Sequence, residues 1–88
     1  HWAEQYPKAM EFYQQALATY RTVKDAQTVM AQVWLNIGDV HWQLKEYSKS
    51  IEAYQRALGK YQQLKNETRV GDTENRIGNT FYRMEQYT

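Results

Sequence analysis

The side chains to weigh first for chemistry are Asp39, Asp72, His1 and His41. Two neighbouring carboxylates would suit general acid–base work. An imidazole with a second His or a Cys at ligand spacing would suit a metal. The chain offers neither. Asp39 and Asp72 belong to different helices in the reading below, which sets them a helix-packing distance of about 10 Å apart. No carboxylate pair shares a helix with a candidate nucleophile beside it. His41 falls in an apolar stripe, without a second His or a Cys near it, and reads as a packed side chain. His1, at the start of the chain, supports no role. Zero cysteines exclude disulfides, thiol catalysis and Cys-ligated zinc. The sequence therefore implies no enzyme, no catalytic residue, no metal and no cofactor.

Recognition chemistry remains. Gln32, Leu35, Asn36, Asp39, Trp42 and Gln43 fall on one helical face, off the apolar stripe of their segment. Forty residues later the same positions hold Asp72, Asn75, Arg76, Asn79, Tyr82 and Arg83. Asn, Gln and Arg on such a face can hydrogen-bond an extended peptide backbone or its carboxylates. Trp42 and Tyr82, at equivalent positions, would add large contact area at low entropic cost. The plainer alternative is a solvated face, which every surface helix has. Trp42 has a second alternative, packing on a neighbouring helix.

These residues are positioned by helices. Within Met30 to Leu44, apolar or aromatic groups at Met30, Trp34, Ile37, His41 and Leu44 step by 4, 3, 4 and 3. That is one stripe of an α-helix. Gly38, in its middle, normally costs about 1 kcal/mol relative to Ala, and the cost is accepted where another backbone passes close by. The same device recurs at Ile77-Gly78 with Phe81 and Met84. A first helix is expected from Pro7, since proline favours the first helical position, to about Lys24. Its stripe is Tyr6, Met10, Tyr13, Leu17, Tyr20 and Val23. Asp25 is placed to cap a second helix, about Ala26 to Lys45. Glu46-Tyr47 makes a turn, and a third helix runs from Ser48 to about Lys65. Its stripe is Tyr47, Ile51, Tyr54, Leu58, Tyr61 and Leu64, more readily core than a cofactor box. Asn66 caps a fourth, about Glu67 to Glu85, and Gln86-Tyr87 repeats the turn.

The first and third segments superimpose at an offset of 41 and the second and fourth at 40. Tandem helix pairs at such a period mean an all-α solenoid of antiparallel helix pairs, here about four helices. Composition agrees with one small folded unit. There are 88 residues, one Pro and four Gly, too few for a linker or disordered tail. No run of 18 apolar residues exists, so no membrane insertion is expected. With 11 basic against 10 acidic residues, the charge does not favour a phosphate-binding surface.

The spacing resembles the tetratricopeptide repeat, W-x2-L-G-x2-Y followed by A-x3-F and A. The slots read Trp34, Ile37, Gly38 and His41, then Ser50, Tyr54 and Ala57, with partial copies at Ala9, Tyr13, Ala16 and at Ile77, Gly78, Phe81. The departures are His41 in the Tyr slot, Ser50 in the first Ala slot and Glu74 in the Trp slot. The resemblance implies a half repeat over 1–24, a full repeat over 26–65 and a half repeat over 67–88. So divided, and without an initiating Met, the chain reads as a piece of a longer array with one face exposed at each end. In this family the first helix of each pair lines a concave groove, which would make the two faces described above the partner-binding surface. The implied function is a scaffold for a partner's peptide segment, with protein or peptide as partner and no nucleic acid, since Asp39 and Asp72 would stand in the groove. The rival reading is a self-associating structural module, a homo-oligomer through exposed terminal helices.

Overall fold

The computed structural model describes residues 2–20 and 26–86. Four helices follow in order: α1 (Trp2–Tyr20), α2 (Gln27–Gln43), α3 (Tyr47–Gln63) and α4 (Glu67–Gln86). Each packs principally on its neighbour in sequence, α1 on α2, α2 on α3 and α3 on α4. The result is a slab of 42 × 31 × 16 Å, not a closed ball. The fold is all-α, with helices packed as adjacent pairs.

Helix ends are set locally. At the end of α2, Lys45 takes the left-handed conformation (φ 62°). Its N–H reaches the Trp42 carbonyl at 3.0 Å, and the Glu46 N–H reaches the His41 carbonyl at 2.9 Å. This is the paired reverse bonding that closes helices at a left-handed residue. Lys65 (φ 57°) ends α3 in the same way, with N–H bonds from Lys65 to Gln62 and from Asn66 to Tyr61, both 3.1 Å. Asn66 then caps α4 as expected, its Oδ1 accepting the Arg69 N–H at 3.1 Å.

Two boundaries differ from expectation. α1 begins at Trp2, so Pro7 lies inside the helix instead of opening it. Ala, Glu and Gln in the preceding stretch are good helix formers, and they carry a turn ahead of the proline. Ala26 stands at the N-cap of α2 without a side-chain cap bond. The expected Asp25 cap, the extension of the first helix to Lys24 and the turn at Tyr87 lie outside the described residues.

The core explains the small residues. α2 is covered on two sides. One side holds Met30, Val33 and Ile37, packed with Leu17 of α1 and Ala53 of α3. The other holds Ala31 and Leu35, packed against Tyr54, Ala57 and Tyr61 of α3. Trp34 touches both clusters. At Gly38 the close neighbour is the ring of Tyr54 rather than a backbone, and it fills the space a β-carbon would need. The Ser50 hydroxyl donates to the Gly38 carbonyl at 2.8 Å, so the departure from Ala at that slot supplies a buried bond between α2 and α3. α4 packs on the cluster of Tyr54, Ala57 and Tyr61 through Val70 and Ile77, while Thr73 and Thr80, both fully buried, donate their hydroxyls back to the Arg69 and Arg76 carbonyls of their own helix at 2.7 Å. Such back-bonding satisfies a threonine turned toward an apolar neighbour. Gly78 differs from Gly38: a methyl group there would meet nothing within 4 Å.

Candidate partner-binding site

α2 and α4 both pack on α3, which brings residues 40 positions apart to the two sides of one hollow. Asp39, Trp42 and Gln43 come from α2, Arg76 and Asn79 from α4, and Tyr54 of α3 completes a pocket of about 310 Å³. Tyr54 is 2 % exposed and belongs to the floor.

Asp39 ties the three helices together. Its Oδ1 accepts the Tyr54 hydroxyl at 2.5 Å. Arg76 Nη1 donates to both its oxygens, at 2.5 and 2.6 Å. One carboxylate thus fixes a residue of α3 and one of α4 from its place on α2. The Asp39 and Arg76 side chains are each 39 % exposed, so their Coulomb attraction is screened and worth about 0–1 kcal/mol. Satisfying the buried Tyr54 hydroxyl matters more, because an unmet buried hydroxyl costs about 1–3 kcal/mol. Burial first, then the bond to Asp39 and its charge, push the Tyr54 phenol well above its ordinary range. Burial works to lower the Arg76 guanidinium, but the bond to Asp39 and its charge outweigh that and hold it above its usual value.

The rim is aromatic and cationic. The Arg83 guanidinium carbon lies 5.6 Å from the Trp42 ring centroid, within cation–π range. Trp42 also packs edge-on against Tyr47 at the start of α3, with centroids 6.2 Å apart. Trp42 thus packs on a neighbouring helix and also lines the pocket. Gln32 sits toward the other end of α2, donating to Asn36 Oδ1 at 3.1 Å and accepting the Tyr61 hydroxyl at 3.3 Å. Asp72, Asn75 and Tyr82 are exposed on α4 outside the pocket.

Leu35 is a correction. The expected groove residue is 1 % exposed and buried against α3, so it offers no surface to a partner. A polar-face assignment counts one apolar stripe per helix, and α2 has two. Tyr54 is the reverse case, assigned to the core by its stripe yet presenting its hydroxyl to the pocket. His41 keeps its packed position, and its Nδ1 lies 2.8 Å from Glu46 Oε1. A second hollow of about 400 Å³ opens between α1 and α3, with Met10, Trp34, His41, Glu52 and Arg56 among its lining. There the Arg56 guanidinium stacks over Trp34 at 5.0 Å.

The tetratricopeptide repeat family matches residues 29–88 of the chain. The chain belongs to the tetratricopeptide repeat family. No curated protein and no solved structure matches it. Tetratricopeptide repeats act in protein–protein interaction and are typically non-catalytic scaffolds. Among the described residues no helix is long and apolar enough to cross a membrane. The matched stretch contains the whole of the pocket, from Asp39 to Asn79.

Proposed function

We propose that this tetratricopeptide repeat chain binds an extended peptide segment of a partner protein along the face shared by α2 and α4, with the pocket at Asp39 as its anchoring point. In this reading α1 is a half repeat (1–24), α2 and α3 a full repeat (26–65), and α4 a half repeat (67–88). The observation that carries the reading is convergence: five residues of the two equivalent polar faces meet around one hollow floored by Tyr54. The chemistry is rigid presentation. Asp39 locks the geometry before a partner arrives, so little ordering entropy remains to be lost on binding. Trp42 offers a flat apolar surface, and Gln43 and Asn79 offer amides able to donate and accept along a backbone.

Selection of displayed peptides on the immobilised chain, followed by calorimetric titration, tests this. Trp42→Ala and Asn79→Ala should each weaken the selected peptides by about 1–3 kcal/mol, with helix content unchanged. Glu52→Ala, in the hollow between α1 and α3, should leave affinity unchanged. Peptides indifferent to the first two substitutions, or sensitive only to the third, would overturn the assignment of the binding face.

A further inference from the structure

A second furrow lies on the other side of α2 from the Asp39 pocket. Around that helix Trp34, Ile37 and His41 fall opposite Asp39, Trp42 and Gln43. Trp34 lines two adjoining hollows, one of about 400 Å³ against Met10 of α1 and one of about 250 Å³ along the later turns of α3. Arg56 is shared by both. The walls belong to three consecutive helices, so the furrow does not depend on where the chain begins or ends. It stays open although α1, α2 and α3 are already packed on one another.

Its α3 wall is a charged strip. Lys49, Glu52, Arg56, Lys60 and Gln63 step by 3, 4, 4 and 3, which is one side of the helix. Each lines one hollow or the other. Three are cations and one is an anion. Lys49 has Glu46 at 3.9 Å, and Lys60 donates to the neutral Gln27 amide oxygen at 3.0 Å. Arg56 is different. Glu52 stands one turn before it, in the order that favours an ion pair along a helix, yet the guanidinium lies over the Trp34 ring at 5.0 Å. Among the described residues no carboxylate is in ion-pair range of it. Trp34 thus restrains an exposed guanidinium while leaving its N–H groups for an acceptor. A group so restrained can take a carboxylate through two parallel bonds with less freedom left to lose.

We infer that this furrow is a second docking site, for an acidic extended segment of a partner protein. Arg56 and Lys60, four residues apart, are separated by about 6 Å along the helix axis. Alternate residues of an extended chain recur on one side at about 6.6–6.8 Å. Two carboxylates separated by one residue therefore meet the two cations in register. Lys60 exchanges a neutral amide for a charged partner, which is the stronger bond. The side chain next to the acids is apolar, because Met10, Ile37 and the Trp34 ring line the hollow beside Arg56. Glu52 on the same wall disfavours a nucleic acid, whose phosphates form a continuous line of negative charge. The chain can then hold two segments at once, one on each side of α2.

The test uses the 88-residue chain carrying Trp42→Ala and Asn79→Ala, which alter the Asp39 face and leave this one intact. Its result is therefore independent of the function proposed above. Random displayed peptides are selected on that chain, with the same chain carrying Arg56→Ala as the counter-selection. Enriched peptides should contain two acidic residues separated by one, beside an apolar residue. In calorimetric titration Arg56→Lys, which keeps the charge but loses the planar fork, should weaken them at least about tenfold. Lys60→Ala should do the same, and so should glutamine in place of the two acids. Both substituted side chains lie at the surface, so helix content should not change. Restoring Trp42 and Asn79 should leave the affinity as it was. No enrichment over the counter-selection, selected peptides without acids, full affinity on Arg56→Lys or Lys60→Ala, or a preference for a single-stranded oligonucleotide would each overturn the proposal.

Discussion

α2 and α4 share a helical register, a central Ile-Gly and a place on α3, yet they do opposite things with their equivalent faces. On α2 the Ala31, Leu35 and Gly38 stripe is closed by Tyr54, Ala57 and Tyr61. On α4 the stripe of Gly71, Asn75 and Gly78 is open. Leu35 has become Asn75 and Trp34 has become Glu74, so α4 has lost apolar groups where α2 needs them. Within that stripe only the glycine at 38 and 78 is common to both, and packing requires it at only one. A repeat signal in a sequence therefore reports that a face can take a neighbour; the structure decides whether it has one.

Leu35→Asn should give the largest effect. It removes a fully buried side chain and leaves an amide facing an apolar wall, for a loss of about 3–5 kcal/mol in chemical denaturation. The reciprocal Asn75→Leu should fall within about 0.5 kcal/mol of wild type. Equal losses at the two positions would break the comparison.

Alkaline unfolding is the next largest effect. Tyr54 and Tyr61 close the α2 face, and burial raises both phenols above their ordinary range. A raised acid pKa favours the folded state while the group is protonated in both states. This stability is complete below the unfolded tyrosine value of about 10 and is lost as the pH climbs from there toward the folded value. Stability should therefore hold to about pH 10 and then fall, by about 1.4 kcal/mol per pH unit for Tyr54 alone. Tyr54→Phe should flatten that fall when unfolding is followed across pH 9 to about 11. A slope indifferent to this substitution would remove Tyr54 from the account.

The smallest effect sharpens the comparison from the other side. Lys45 and Lys65 end α2 and α3 in the same left-handed conformation, so Lys45→Gly and Lys65→Gly should each raise stability by about 1 kcal/mol. Where local geometry repeats, the response should repeat. A difference well above that figure between the two would show that neighbours also govern the helix ends.

The architecture was legible in the sequence because it depends on spacing. The succession of four helices and the Asn66 cap appear in the structure as expected, whereas of the stripe from Met30 to Leu44 only Met30 and Ile37 are buried, and Leu44 stands exposed at the end of α2. Pro7 misled because helix propensity on its N-terminal side outweighed a positional preference. The site was legible in part. Face spacing placed Asp39, Trp42, Gln43, Arg76 and Asn79 together, and these five line the pocket. Leu35 was misplaced because periodicity marks one apolar stripe and carries no count of how many helices will pack on it. The bridge from Asp39 to Arg76 spans 37 residues, and the one from Tyr54 to Asp39 needs the depth at which a tyrosine sits. Neither leaves a local trace. Tyr54 opposite Gly38 was the available clue, since a glycine inside a helix invites a ring.

The comparison is tested most directly by measuring the thermal stability of Gly38→Ala and Gly78→Ala at low concentration. Helix propensity favours alanine over glycine by about 1 kcal/mol at both positions. At Gly38 the new methyl meets a buried Tyr54 ring held at its hydroxyl by Asp39, and overpacking of about 1–3 kcal/mol should outweigh that gain and lower the midpoint. At Gly78 nothing stands in the way, and the midpoint should rise. Shifts of the same sign at the two glycines would contradict the claim that one face is closed and its repeat is open.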